Sequence, residues 1–376
     1  MSFSITLRDR LSLREKIASV RWSFVLLVVL VACVGFLSLY SAAGGSLEPW
    51  AQRQMQRFAV GLCGMIFVAL IDPRIWLKLA YPFYAAVFLA LIYVDFFGRT
   101  GMGAQRWIDL GFIQVQPSEF MKIAVVLALA RFFHSGGAED VRHPLYLILP
   151  TLMVLAPCAL VMIQPDLGTA LKILMVSGVV FFLAGVSYWM FAVVGLLALS
   201  ALPVAWHLLH DYQKDRVLTF INPENDPLGA GYHIIQSKIA LGSGGLSGKG
   251  FLQGTQSKLN FLPEKQTDFI FTLFTEEWGL IGGLMLLGLF GLVILYGYVM
   301  ALANQSQFGR LLSLGIITNF FLYVFINAGM VMGLMPVVGV PLPLVSYGGT
   351  AMLSILFGFG LLLSAYVHRD VKFAKS

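Results

Sequence analysis

Between Trp22 and Tyr40 the chain carries no charged residue, and comparable apolar runs recur almost to its end. Hydrocarbon offers a backbone no hydrogen bonds, so such runs must pair their own N–H and C=O groups, which a helix does within one segment. About 20 residues, each rising ~1.5 Å, cross the ~30 Å core of a bilayer. The runs therefore predict an all-α polytopic membrane protein. About ten transmembrane helices are expected, at 22–41, 57–71, 77–96, 118–133, 145–164, 168–186, 188–209, 269–299, 309–333 and 346–367. Composition agrees, since 12% of residues are charged against ~25% in soluble domains. Trp22–Tyr40 is too long for the core of a removable signal and leads straight into further apolar segments, so it is expected to stay.

Ten crossings put both termini on one side, and the Lys/Arg bias says which. Arg8, Arg10, Arg14, Lys16 and Arg21 precede the first segment, and Arg369, Lys372 and Lys375 follow the last. Loops on that side add Arg74, Lys78, Arg131, Arg142 and Arg310, against Arg53, Arg57, Arg99 and Arg106 opposite. Both tails are expected in the cytoplasm. The organisation read from this is one membrane domain over 1–376. It has an amphipathic cytoplasmic tail at 1–21, a long periplasmic loop at 210–268 between helices 7 and 8, and a short cytoplasmic tail at 368–376. Ser12-Leu13-Arg14-Glu15 fits a capping box, with Leu7, Leu11 and Ile17 on one rough face of a surface-lying helix.

The formal charge of +6 is spread over scattered basic residues. That suits anionic lipid or a pyrophosphate and gives no sign of a nucleic-acid partner. Cys33, Cys63 and Cys158 lie in apolar runs without paired spacing, so they are expected as small buried hydrophobes, with no disulfide and no metal cluster. His207, His210 and His233 lack ligand spacing, and no zinc is expected.

A few polar residues stand where charge is expensive. Asp268 opens a long apolar segment. It is either a first-turn carboxylate complementing the helix dipole, worth ~0.3–1 kcal/mol, or a general base in a partly dry site. Glu119 and Lys122 follow Gln116-Pro117-Ser118 at i,i+3 spacing on one helix face. Each costs ~2.5–3.5 kcal/mol at membrane depth if unpaired, so they must pair, snorkel or line a wet cavity. Asp166 begins a helix with Lys172 about two turns in, and capping alone explains it. Glu276 and Glu277 lie farther down the helix of Asp268, Glu276 nearer its face and Glu277 pointing elsewhere. Arg106 stands beside Trp107 and could bind a phosphate, while Trp107 could simply anchor at the interface. Lys249 follows the glycine-rich Gly242–Gly248. The nucleotide-loop pattern fails there, because Ser243 stands at its first Gly and Gly250 at its Ser/Thr. A flexible loop, or backbone donors near a phosphate, is the better reading. Pro341–Thr350 is expected as an outer re-entrant turn bordering the cavity of Asp268.

Together these segments resemble the SEDS family (shape, elongation, division and sporulation) over essentially the whole chain. The most specific pieces are Gly103–Asp109, Gln116–Lys122, Gln164–Thr169, Asn222–Pro227 with Gly231-Tyr232, Gly242–Gly250, Leu262–Phe269 and Pro341–Thr350. The short N-terminal tail and Pro263-Glu264-Lys265 favour the elongation branch over the division branch. The resemblance implies a peptidoglycan glycosyltransferase of the bacterial inner membrane that polymerises lipid II at the outer face. Asp268 falls on the family's essential aspartate, Glu119 and Lys122 on its intramembrane pair, and Asp166 on another acidic motif position. Lys249 and Lys265 join Arg106 as substrate-binding candidates from the matching motifs. The family often has His before Thr-Asp where this chain has Gln266, which puts in doubt any imidazole tuning of the base. The resemblance also implies a polyprenyl-diphosphate-linked donor, a Mg²⁺ or Mn²⁺ ion of unknown ligands, a class B penicillin-binding transpeptidase as partner, and the wider rod complex. Two other readings stay open: a transporter of lipid-linked precursor, which the charged cavity also fits, and a scaffold that only holds a transpeptidase, which leaves the buried Glu119 and Lys122 unexplained except as packing.

Overall fold

The computed structural model describes residues 12–370 apart from 102–103, 110, 112–113, 138, 209–210, 226–229 and 256–263. Leu7, Leu11, Gly103, the Asp226-Pro227 pair, Phe261-Leu262-Pro263, Lys372 and Lys375 lie outside the described residues.

Each of the ten expected apolar segments falls on one helix. These are α2 (Trp22–Ala42), α3 (Ala51–Leu70), α4 (Pro73–Phe97), α5 (Pro117–Ser135), α6 (Ile148–Ile163), α7 (Leu167–Ala184), α8 (Tyr188–Leu208), α11 (Ile270–Leu302), α12 (Gln307–Val331) and α13 (Gly349–Val367). Among the described residues seven helices are long and apolar enough to cross a membrane: α2, α4, α6 with the turn before it, α7, α11, α12 and α13. Of the other three, α3 opens on Arg53 and Arg57, α5 carries Glu119 and Lys122, and α8 qualifies only over the shorter Tyr188–Ala201.

Helices that are apolar all round belong in the middle of a bundle. Accordingly α12 and α13 have 83% of their apolar windows buried, whereas α4 has 22% and turns most of its surface outward. α13 packs along α3, and α12 packs against α11, α5 and α7. Cys158 is buried but Cys33 and Cys63 face outward, so two of the three cysteines expected inside are not. In a bilayer an outward thiol meets lipid, which apolarity alone cannot distinguish from core.

A short helix, α1 (Leu13–Ser19), precedes the bundle. Ser12 and Glu15 form the capping box: Ser12 N–H donates to Glu15 Oε2 at 2.7 Å and Glu15 N–H to Ser12 Oγ at 3.3 Å. Leu13 and Ile17 are exposed, and Lys16 Nζ reaches the Leu70 carbonyl at the end of α3.

Two stretches expected as loops have structure. Residues 98–116 contain a three-stranded antiparallel sheet, β1 (Arg99–Gly101), β2 (Ala104–Asp109) and β3 (Gln114–Val115), in register Arg99 with Trp107 and Ile108 with Val115. Strands this short carry too little alternation to read. The segment after α8 holds α9 (Asp211–Ile221) and α10 (Ala230–Ser243), followed by a glycine-rich clasp.

That clasp explains Gly242–Gly250. At Gly279 (φ 67°, ψ −168°) α11 breaks, in a conformation open essentially to glycine alone. The break leaves backbone groups without helical partners, and the clasp supplies them. Lys249 N–H and Gly250 N–H donate to the Glu276 and Glu277 carbonyls (3.1 and 3.0 Å), while Leu280 N–H and Ile281 N–H donate to Gly245 and Leu246 (2.9 and 3.2 Å). A Cβ on Gly279 would lie 2.5 Å from the Leu246 carbonyl oxygen. The loop is thus neither free nor a phosphate cradle, because the donors of Lys249 and Gly250 are committed to α11.

Candidate active site

Asp268 lies in the turn just before α11, not in its first turn. Phe269 is the N-cap, and the first turn of α11 carries no acid. The first-turn reading of Asp268 therefore gives way to a different geometry, set by the turn at 264–268. Glu264 takes a positive φ of 55°. Its carboxylate accepts from Thr267 Oγ1 at 3.1 Å and from Gln266 Nε2 at 3.2 Å. Three successive carbonyls are then pinned from outside the turn. Tyr347 N–H donates to Gln266 (2.8 Å), Ser346 Oγ to Thr267 (2.5 Å) and Asn327 Nδ2 to Asp268 (2.9 Å). Asn327 also donates to the Val340 carbonyl at 2.7 Å, tying the Pro341–Thr350 turn to the same place.

The clamp uses the Asp268 backbone; the residue is half-buried, and its carboxyl lies beside Gly339, whose added Cβ would sit 3.6 Å from Oδ2. Burial pushes that carboxyl up to about 6, with the Glu264 charge adding to the rise and Lys172 and Arg216 opposing it. Gln266 turns its side chain to Glu264, where it helps to order the turn.

Below this turn lies a dry ionic cluster. Lys122 Nζ donates to Glu119 Oε1 at 2.7 Å and also to the Tyr323 hydroxyl. Tyr323 donates in turn to Glu119 Oε2, and Ser354 Oγ approaches the same oxygen at 3.5 Å. Lys172 enters from α7, its Nζ 4.1 Å from the Tyr323 ring centroid, where Lys122 stands at 4.3 Å. Glu119, Lys122, Lys172 and Tyr323 are all 5% exposed or less, so the pair is structural in its contacts. Four helices meet there: α5, α7, α12 and α13.

The remaining sequence candidates are placed as follows. Asp166 caps α7 by accepting from Thr169 N–H at 3.1 Å, and it accepts from Gln116 Nε2 at 3.3 Å. Arg106 donates Nε to the Gln164 carbonyl at 2.9 Å and Nη2 to that of Pro165, so its guanidinium ties β2 to the turn before α7. Lys249 bonds Glu276 Oε1 and Thr255 Oγ1, each at 2.7 Å, within the clasp. Glu276 and Glu277 are both buried, and Glu277 accepts from Ser41 of α2. Lys265 is partly buried beside Glu264, and burial pushes its ammonium down. Asp268, Glu119, Lys122 and Asp166 are thus gathered around α5, α7 and α12, with Arg106 bonded to the turn that carries Asp166, while Lys249 bonds within the clasp.

Sequence reasoning missed a set of arginines beside the turn. A cavity of about 550 Å³ is lined by Arg53, Arg57, Arg99, Trp107, Tyr347 and Thr267, the last adjacent to Asp268. Arg99 pairs with Asp109. Arg57 stacks 5.3 Å over the Tyr347 ring and is half-buried. Gln54, fully buried, holds the cavity's edge by donating to the Ser346 carbonyl at 2.9 Å. Arginines just inside an apolar segment were the available signal, and it was spent on the charge bias.

The family model described as cell cycle protein, covering FtsW, RodA and SpoVE, matches residues 20–371. The chain belongs to the SEDS family. Among SEDS relatives, peptidoglycan glycosyltransferase MrdB of Escherichia coli (strain K12) is 46% identical over 354 residues, covering 92% of this chain and 94% of that one. A solved chain from a peptidoglycan synthase complex, described as coordinating polymerization and crosslinking, superposes with a TM-score of 0.80. It is 36% identical and covers 93% of this chain and 98% of that one. The rod shape determining protein RodA of Thermus thermophilus gives a TM-score of 0.70 at 33% identity, covering 93% and 97%.

Proposed function

We propose that this SEDS protein is a peptidoglycan glycosyltransferase serving cell elongation, polymerising lipid II at the outer face of the bacterial inner membrane with Asp268 as general base. One observation carries the reading: Asp268 stands on a clamped turn whose preceding residue, Thr267, lines a cavity with three arginines. The relatives named for glycosyl transfer support it. On this reading the tails are cytoplasmic, and the end carrying Asp268 is periplasmic.

The chemistry follows from the geometry. A sugar hydroxyl is a weak nucleophile, so Asp268 takes the proton of the acceptor's 4-hydroxyl as its oxygen attacks the donor's anomeric carbon. A carbon–oxygen bond forms, the bond to the lipid diphosphate breaks, and configuration inverts. The leaving diphosphate needs charge stabilisation more than a proton. Arg106 and Lys122, expected for this task, are committed inside the fold. Arg57 and Arg53 line the cavity instead, with Arg99 beside them paired to Asp109. Glu119 and Lys122 serve the site by joining α5, α12 and α13 beneath it. Lys265 is placed at the turn, where it can meet substrate; Asp166 and Lys249 hold the elements around it.

Among the described residues no three His, Cys, Asp or Glu side chains come together as a metal-binding set. The described residues thus show no three-ligand seat for the Mg²⁺ or Mn²⁺ that the family resemblance implies. Such an ion is proposed only as a counter-ion carried by the diphosphate, and no step is routed through it. A class B penicillin-binding transpeptidase is proposed as partner, supported by the relative solved in a complex that coordinates polymerization and crosslinking.

Purified chain in detergent, given lipid II alone, is expected to make glycan strands. A transporter would make none, since it needs two compartments and forms no bond. Arg57→Gln is expected to lower kcat by about 10- to 100-fold with unchanged melting temperature. The loss is smaller than the 10²–10³ of a lone oxyanion donor because Arg53 and Arg99 remain. Unaltered kcat would remove the arginine cavity from the reaction.

A further inference from the structure

Lys172 has no part in the reaction so far described, yet its surroundings point at Asp268. It lies on α7 one turn beyond Gly168, so the two share a helix face. At Gly168 a Cβ would fall 2.9 Å from the Val338 carbonyl oxygen, so that face of α7 is pressed against the 338–339 backbone. Gly339, the next residue, is the one that borders Asp268 Oδ2. From the other side, α12 carries Tyr323 and Asn327 one turn apart. Tyr323 offers its ring to Lys172, and Asn327 grips the Asp268 carbonyl. Two independent elements therefore converge, each contacting Lys172 or its face at one point and Asp268 at the next.

The charges around this pair are few. Glu264 and Arg216 face Asp268 besides Lys172. Lys122, Glu119 and Asp166 face Lys172, and Lys122 lies beside it over the same Tyr323 ring. Glu119 is already paired by Lys122, so the cluster holds one carboxylate and two ammonium groups. Lys172 is surplus to that ion pair, and in its protonated form it acts on Asp268 through low-dielectric protein.

We propose that Lys172 is a positioning residue for the transfer reaction, holding the Asp268 carboxyl in the ionised form that accepts the sugar proton. It touches no substrate; it acts through Asp268. This rests on Asp268 being the general base and adds what keeps that base ready against its burial and against Glu264. An opposite charge within ~4–6 Å lowers a carboxyl by 1–3 units, and a more distant, partly screened one by less.

The test is the pH profile of polymerisation by the purified full chain, comparing wild type with Lys172→Met and Lys172→Arg. Lys172→Met removes a buried charge while keeping the stem, and the Glu119–Lys122 pair survives it, so the fold is expected to hold; thermal unfolding checks this. Its acidic limb is expected to move up by about 0.5–1 pH unit, with plateau kcat within about threefold of wild type, and Lys172→Arg restores the limb. An acidic limb superimposable on wild type in folded Lys172→Met overturns the proposal. Should Lys172→Met unfold, Lys172→Gln, which also removes the charge, carries the decision: a limb displaced upward supports the proposal, and a wild-type limb overturns it. An active Asp268→Asn would instead overturn the base assignment itself, so the two failures are distinguishable.

Discussion

Asp268→Asn is expected to cut polymerisation of lipid II by at least ~100-fold while leaving the protein folded. General-base catalysis is worth about 10²–10⁴ in rate, and an amide cannot take the proton. The fold has no reason to suffer. The clamp from Asn327, Ser346 and Tyr347 grips the backbone carbonyls of 266–268, all of which the substitution keeps. The sign of the pH effect favours the variant's stability. Because burial raises this carboxyl to about 6, the folded protein disfavours its ionisation, and that cost is present at all pH values above about 6. Asparagine removes it, so the melting temperature at pH 7 should equal or exceed that of wild type. The wild-type enzyme should lose activity below about pH 6, tenfold per unit, as the base is protonated. Near-normal glycan synthesis by folded Asp268→Asn would end the assignment.

Glu119→Gln should be among the most destabilising single changes in the bundle, and more so than Lys122→Met. Breaking a buried pair by removing one partner costs about 3–5 kcal/mol, because the other charge stays behind. The two removals are not equivalent here. Without Glu119 two ammonium groups, Lys122 and Lys172, remain around the Tyr323 ring with no carboxylate between them. Without Lys122, Glu119 still receives the Tyr323 hydroxyl and still faces Lys172. Unfolding in detergent should therefore rank wild type above Lys122→Met above Glu119→Gln. The double variant should recover part of the loss, leaving only Lys172 charged. Equal melting temperatures for all four proteins would mean that the cluster is wet.

The site was partly legible before any coordinates. Asp268 stood out because a carboxylate opening an apolar run has to be explained. Glu119 and Lys122 stood out because i,i+3 spacing puts both charges on one helix face, and they do pair. Asp166 was readable as a cap because capping is local. What escaped was whatever a side chain does across helices. Arg106, beside an aromatic on an exposed turn, looked available for phosphate, yet its donors go to the carbonyls before α7. Lys249, a substrate-binding candidate beside what read as a flexible loop, sits instead among glycines that repair a break in α11 that hydropathy does not register. Tyr323 and Asn327 were hidden in an apolar helix, where one aromatic and one amide do not alter the pattern.

Apolar stretches of about 20 residues left no alternative to membrane helices, since hydrocarbon forbids an unpaired backbone, and that much needed only the order of the residues. Which charges those helices extinguish against one another, and which they leave facing a cavity, was settled only by three-dimensional packing. A contact between α7 and α12 spans more than a hundred residues of chain, whereas the spacing rules of a helix reach no farther than a turn or two.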